Sequence, residues 1–331
     1  MGQSNLTNKM KKRIGDIKLK IVNSALALNF ISWSKRTTLP GFRKISLYDV
    51  ASKTNKQIID DDIWERTSAI SYNFAMAFPP AIIFLFTLIP YMPISSSFIY
   101  ELRNLIKDII PGPENHGAII QFLDDFVNNP RNDLLSFGFL LSLFFTSNAI
   151  IGVMRSFDKS LPGFIKRTGF AKRIAAIKTT LVVFMLFFIC LALIIAREVV
   201  LKWLGIQNEA IIYIITNLRW VLILLLFFIT VSYIYRSVPS VDKKWRMLTP
   251  GSVVATILML ICAFGFSWWV SNFGNYNKLY GSIGTLIIMS VLIYLISLSL
   301  LIGFEINVSI YTLAKWRGEQ TSNITAEDVV V

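Results

Sequence analysis

Residues 174–196 read IAAIKTTLVVFMLFFICLALIIA, a run in which Lys178 is the single charged side chain. At ~1.5 Å per residue such a helix rises about 34 Å, enough to cross a hydrocarbon core of ~30 Å. Five further stretches repeat the pattern at 69–90, 134–154, 211–235, 251–270 and 282–304. Lipid offers the backbone no hydrogen-bond partners, so each of the six is expected to be a helix. The fold class that follows is an all-α polytopic membrane protein with six transmembrane helices.

Lys and Arg alternate from abundant to sparse with each crossing. There are 13 before the first stretch, then 3, 6, 2, 4 and 1 in the successive loops and 2 after the last. Cytoplasmic segments carry the excess of basic residues. Both termini, the 155–173 loop and the 236–250 loop are therefore expected on the cytoplasmic side. The net charge of +13 could suggest a nucleic-acid partner. Its dispersal among membrane-flanking loops points instead to anionic lipid headgroups on the cytoplasmic side, and no nucleic acid is expected. Hydrophobic residues make up 54% of the chain and charged residues 16%, which fits one membrane domain at 67–313 between a basic amino-terminal region, 1–66, and a polar tail, 314–331.

Within the amino-terminal region, residues 21–33 are interrupted by Asn23, Ser24, Asn29 and Ser32 and read as an interfacial helix rather than a signal peptide. Asp60, Asp61 and Asp62 form an acidic run, and Trp64 and Arg66 suit an interfacial anchor before the first span. The longest external loop carries two apolar sets at helical spacing. Phe98, Leu102, Leu105, Ile106 and Ile109 precede the breaker Pro111-Gly112-Pro113, and Ile119, Leu123, Phe126 and Val127 follow it. Two short amphipathic helices are expected there, on the membrane surface or over the outer mouth of a bundle.

Polar and helix-breaking residues inside the spans are the candidate functional positions. Pro79 and Pro80, midway along the first span, remove amide hydrogens and are expected to kink or break it. Asn73 and Asn148 can bond across helices. Arg219 lies about 12 Å deep if its span starts at residue 211, or flanks the outer interface if it starts at Trp220. Lys178 is placed to snorkel. Glu305 and Asn307 put a carboxylate and an amide near the cytoplasmic end of the last span, where Glu305 could pair with an Arg, reach the headgroups or hold a proton. Tyr280, Gly281 and Gly284 form the turn before that span, with the glycines allowing close helix approach. Cys190 and Cys262 fall in apolar spans and read as small core residues.

Four blocks of this chain resemble the YihY/BrkB family of bacterial membrane proteins, some of which carry the old label ribonuclease BN. They are the Ala69-Ile-Ser-Tyr-Asn-Phe-Ala-Met-Ala-Phe-Pro-Pro80 opening, Trp245-Arg246 with Pro250-Gly251, the turn Tyr276-Asn-Lys-Leu-Tyr-Gly-Ser-Ile-Gly284, and Gly303-Phe304-Glu305-Ile306-Asn307. The last block usually reads Gly-Ala-Glu in the family, so Phe304 is a departure. The resemblance spans residues 64–313 and implies six helices and an inner-membrane location. It also brings suggestions of transport, of lipid or envelope precursors among others, and of a part in virulence.

Enzyme chemistry finds little to stand on. The one histidine is His116, the acidic run has no metal-ligand spacing, and no Walker loop, dinucleotide fingerprint or nucleophile elbow is present. The chain is expected not to be an enzyme and to need no cofactor. The leading expectation is a transporter or a translocator of lipid or envelope precursors, with a lipid or small-molecule substrate, using Asn73, Asn148, Arg219 and Glu305 along a polar path. The alternative is a membrane assembly, envelope-integrity or regulatory protein in which the same residues pack helices. Convergence of the polar residues on one cleft would favour the first, and separate helix contacts the second.

Overall fold

A computed structural model describes residues 25–91, 99–100, 102–104, 106, 113–129, 132–159, 161, 163–165, 167–204, 209–242, 244–272 and 282–327. The helices are α1 (Ala25–Arg36), α2 (Leu47–Asp60), α3 (Ile63–Leu88), α4 (Pro113–Asn128), α5 (Asn132–Phe157), α6 (Gly169–Leu204), α7 (Glu209–Ser237), α8 (Pro250–Asn272) and α9 (Ser282–Glu327). Helices α3, α5, α6, α7, α8 and α9 each contain a stretch long and apolar enough to cross a membrane. All six match the apolar runs of the sequence, so the fold class stands as read. Residues 21–33 were expected to be helical, and the described part of that segment, from Ala25, is helical as α1.

Three boundaries differ from expectation for physical reasons. The backbone stays helical through Pro79 and Pro80, so the first span bends at most and does not break. A transmembrane helix tolerates proline where neighbouring helices satisfy the freed carbonyls. Helix α6 runs eight residues past Ala196, and α9 continues 23 residues past Phe304 to Glu327. Hydropathy marks where apolar residues stop, whereas a helix ends only where a breaker or cap intervenes.

The chain divides into two compact units, Asp62–Phe304 and the pair of segments Met1–Asp61 and Glu305–Val331. In the first, α3 and α5 pack antiparallel in a regular register. Arg66 lies beside Ser156, Asn73 beside Gly152 and Phe84 beside Gly138, so each pair of contacts climbs both helices in step. Gly152 and Gly138 let the backbones approach, as small residues do between membrane helices. Phe84 also meets Phe139 of α5 and Phe188 of α6 at centroid distances of 5.4 and 6.1 Å, tying three helices into one aromatic seam.

At the Leu88 end of α3 the two apolar sets of the 91–133 segment meet. Ile106 and Leu123 are buried with Ile89, and Leu102, Ile119 and Val127 pack against them. Arg103 reinforces the pair with a 2.6 Å bond to Asp124. Phe98, Leu105 and Ile109 of the first set lie outside the described residues. The amphipathic pattern thus folds onto itself and onto the end of α3.

In the second unit, Phe42, Ile45 and Val50 form a core with Ile310. Helix α2 starts at Ser46, whose side chain accepts the Asp49 amide at 3.1 Å, a standard N-cap arrangement. Below that core runs a buried relay. The Thr54 hydroxyl donates to Ser309 Oγ at 2.9 Å, and the Ser309 hydroxyl donates to Gln57 Oε1 at 2.5 Å. Arg317 donates to the Lys44 carbonyl at 2.9 Å, and Lys53 lies 4.7 Å over the Trp316 ring. The end of α9 and the basic amino-terminal region therefore fold as one piece. The acidic run supplies a turn: the Asp61 amide caps α2 on Gln57, and Asp62 adopts a left-handed φ of 45° before α3, a conformation Asp tolerates better than most residues.

Candidate functional site

Asn73 turns its Nδ2 back onto the Ala69 carbonyl at 2.7 Å. A methyl group on Gly152 would stand 2.8 Å from that nitrogen, so the amide occupies the space glycine leaves. One turn earlier on α5, Asn148 Oδ1 accepts a short hydrogen bond from Arg173 of α6. The Arg173 guanidinium also stacks 4.7 Å over Phe144. Asn148 thus neutralises part of the cost of a cation at the helix contact. The sequence placed Arg173 in the flanking loop, because a charge there was itself the sign used to end the span.

Three further cations secure helix ends. Arg66 Nε donates to the Ser156 carbonyl at 3.0 Å, and the Ser156 hydroxyl returns a bond to the Arg66 carbonyl at 3.4 Å. Lys172 pairs with Asp158 at 2.7 Å. Arg167 spreads its fork over the carbonyls of Val238 and Ser237, both at 3.1 Å, and of Pro239 at 3.4 Å. These are the carbonyls that the end of α7 leaves unpaired, and a cation there also meets the negative end of the helix dipole. Burial lowers the Arg167 pKa from its ordinary value, with Asp158 opposing the shift. The loops themselves are stitched: Ile165 N–H donates to Ser240 O at 2.8 Å and Asp242 N–H to Gly163 O at 3.0 Å. The 155–173 and 236–250 loops, both rich in Lys and Arg, consequently share one side of the bundle.

Helix α7 is joined to α9 by a buried hydroxyl. Tyr235 OH donates to the Leu300 carbonyl at 2.6 Å. Beside it, Phe157 stacks on Phe304 with centroids 3.9 Å apart, and Trp245 sits 5.8 Å from the same ring. Gly303 faces the Gly251 carbonyl, the Tyr235 hydroxyl and the Ala255 methyl so closely that any β-carbon would collide with them.

The remaining candidates lie apart. Arg219 is the third residue of the apolar stretch of α7, which begins at Asn217, and its guanidinium sits 5.4 Å over the Trp220 ring. That places it near the start of the apolar stretch, half-buried against its helix neighbours. Glu305 is wholly enclosed and Asn307 is 5% exposed, and both have interacting neighbours. The expectation that Glu305 reaches the headgroups fails, because protein covers it on every side. Gly284 lies in the first turn of α9, whereas Tyr280 and Gly281 lie outside the described residues. A cleft of about 460 Å³ opens along α6, lined by Phe139, Leu181, Phe184, Met185, Phe188, Ile189 and Ala192. None of the polar candidates lines it. Asn73, beside Gly152, and Asn148 are brought within a turn of each other.

Residues 54–325 match the family described as Virulence factor BrkB. The chain belongs to that family. Among curated relatives, a ribonuclease-like protein of Bacillus subtilis (strain 168), YfkH, is 28% identical over 256 residues, covering 76% of this chain and 90% of its own length. A UPF0761 membrane protein of Xanthomonas campestris pv. campestris (strain B100) is 23% identical over 261 residues, covering 75% of this chain. This chain spans 57% of the length of that Xanthomonas relative. A UPF0761 membrane protein of Stenotrophomonas maltophilia (strain K279a) is 23% identical over 276 residues, covering 76% of this chain and 58% of its own length. No solved structure matches the chain.

For this BrkB-family chain, the structure gives the Phe304 departure a local reason: the larger ring is stacked on Phe157 and fills the space beside Trp245. The term ribonuclease-like belongs to the Bacillus relative. Among the described residues of this chain no three His, Cys, Asp or Glu side chains are placed so that they could hold a metal ion.

Proposed function

We propose that this BrkB-family protein works in the lipid phase of a bacterial inner membrane, with both termini cytoplasmic, as a non-enzymatic handler of lipid or a lipid-like envelope precursor. One observation carries the reading. None of the candidate polar side chains lines the cleft along α6, whose lining is entirely apolar, and Asn148 is taken up by Arg173 at a helix contact. An apolar cleft facing a bilayer suits an acyl chain and gives a small polar solute nothing to bond. The cytoplasmic assignment is supported by the gathering of the 155–173 and 236–250 loops on one side, since basic loops favour that compartment.

The assembly or regulatory alternative is favoured by a different observation. Arg66, Arg167 and Lys172 hold helix ends together, which makes the basic face a rigid platform. Reconstitution separates the two. The full chain in liposomes bearing a fluorescent phospholipid should speed the loss of outer-leaflet protection against a membrane-impermeant reductant, with no leak of a small entrapped solute. Lipid exchange no faster than in empty liposomes would discard lipid handling and leave the platform; solute leak would restore a polar conduit.

A further inference from the structure

Lys178 is the one charge within residues 174–196, and it is exposed on α6. Its face of the helix is set by spacing. Positions 178, 181, 185, 189 and 192 follow one another at three or four residues, so Lys178 shares a stripe with Leu181, Met185, Ile189 and Ala192. Those four line the cleft, together with Phe139, Phe184 and Phe188. Leu181, Met185 and Ile189 are 44%, 55% and 41% exposed to the surroundings, which in this span are lipid. From Leu181 to Ala192 the stripe runs about 16 Å, and its floor is aromatic, with Phe84 stacked 6.4 Å behind Phe184.

The direction of the lysine matters. Helical side chains lean toward the amino-terminal end of their helix, and α6 begins on the basic face beside Lys172 and Asp158. The Lys178 ammonium therefore leans toward that face, one turn away from Leu181 and away from the cleft. A cation and an apolar slot are thus arranged in the order of a phospholipid standing in the basic-side leaflet, phosphate first and acyl chain second.

We propose that α6 and α5 hold one anionic phospholipid, its phosphate against Lys178 and one acyl chain in the cleft from Leu181 to Ala192. A net-negative headgroup is favoured over a zwitterionic one, because the latter brings its own cation to compete for the phosphate. The volume of about 460 Å³ lies in the range of small-ligand pockets. The site explains why a lysine persists amid lipid-facing Ile174, Leu181 and Met185. It rests on the lipid-phase reading above but not on lipid movement.

The experiment is native mass spectrometry of the full chain released from detergent, titrated with phosphatidylglycerol and with phosphatidylcholine of identical acyl chains. Phosphatidylglycerol should bind more tightly. Lys178→Ala should weaken it about fivefold, the effect of one near-surface lysine, and should erase the preference between headgroups. Lys178→Arg should preserve both. Ala192→Trp, which fills the slot, should weaken both lipids alike, while Leu140→Trp, also lipid-exposed but not lining the cleft, should weaken neither. Unchanged phosphatidylglycerol binding in Lys178→Ala or in Ala192→Trp overturns the site, as does a loss in Lys178→Arg equal to that in the Ala variant. Binding that behaves as expected in a chain that moves no lipid keeps the site and removes the proposed activity; lipid movement without this binding does the reverse.

Discussion

The rings of Phe157 at the end of α5 and Phe304 near the middle of α9 lie face to face, 3.9 Å apart at their centroids and 4° from parallel. Both are fully buried. Phe304→Ala restores the residue usual in the family but leaves Phe157 and Trp245 facing a void. Large-to-small changes at such sites cost about 3 to 5 kcal/mol when the surroundings cannot collapse. Thermal or SDS unfolding of the purified variant should show a loss of that order, and a midpoint equal to wild type would mean that the neighbours close the gap.

Two glycines should respond oppositely to alanine. At Gly303 a methyl group would stand 2.5 Å from the Tyr235 hydroxyl and 2.7 Å from the Ala255 methyl, against the Gly251 backbone as well. Backbone cannot yield as a flexible side chain can, so Gly303→Ala should sharply lower the yield of folded protein. At Gly265, in the interior of α8, a methyl group meets nothing within 4 Å. Gly265→Ala should therefore stabilise by up to about 1 kcal/mol through helix propensity. The pair of unfolding midpoints tests whether the α8 and α9 backbones truly approach at Gly251 and Gly303.

How far the sequence could carry these conclusions depended on what each signal measures. Apolar length is dictated by the bilayer, so all six spans were legible to within a few residues wherever a breaker followed. The outer helices were legible too, since Leu102, Ile106, Ile119 and Leu123 repeat at helical spacing and now share one core. Arg173 was not: its charge marked the span boundary, and only packing shows its fork turned onto Asn148. Nor was the burial of Glu305, or the relay from Thr54 through Ser309 to Gln57. Polar contacts between residues some 250 positions apart leave no local periodicity to read.

Arg167 offers a test of helix-end capping. Lys at this position keeps the charge but loses the fork that spans three carbonyls, and charge-assisted bonds of this kind contribute about 1.5 to 3 kcal/mol each before solvent screening. Arg167→Lys should cost about 1 to 2 kcal/mol and speed amide exchange at Ile165 and Asp242, whose N–H groups bond the two loops together. The pH signature is equally specific. A base whose pKa falls on folding binds fewer protons in the native state, so its contribution to stability rises with pH only in the alkaline window near the ordinary arginine value. Stability attributable to Arg167 should then be flat from acid to neutral pH. A variant that unfolds earlier at pH 6 than at pH 8 relative to wild type would assign the shift to another group.

Side-specific labelling tests the orientation on which the proposed function depends. Cysteine at Arg155 or Lys244, both exposed in the basic loops, should react with a membrane-impermeant maleimide only after the cells are opened. Cysteine at Asn129, exposed at the end of α4, should react in intact cells whose outer envelope is permeable. Cys190 and Cys262 lie within the apolar stretches of α6 and α8 and are replaced by Ala to silence the background. Ile165 and Ser240 are hydrogen-bonded across the two loops. Arg155 and Lys244 must therefore label on the same side as each other whichever way the bundle is inserted. Reaction of both in intact cells, with Asn129 protected, would invert the protein in the membrane and place its basic face against the wrong leaflet for the Lys178 site. Reaction of one without the other would contradict the packing of the two loops itself.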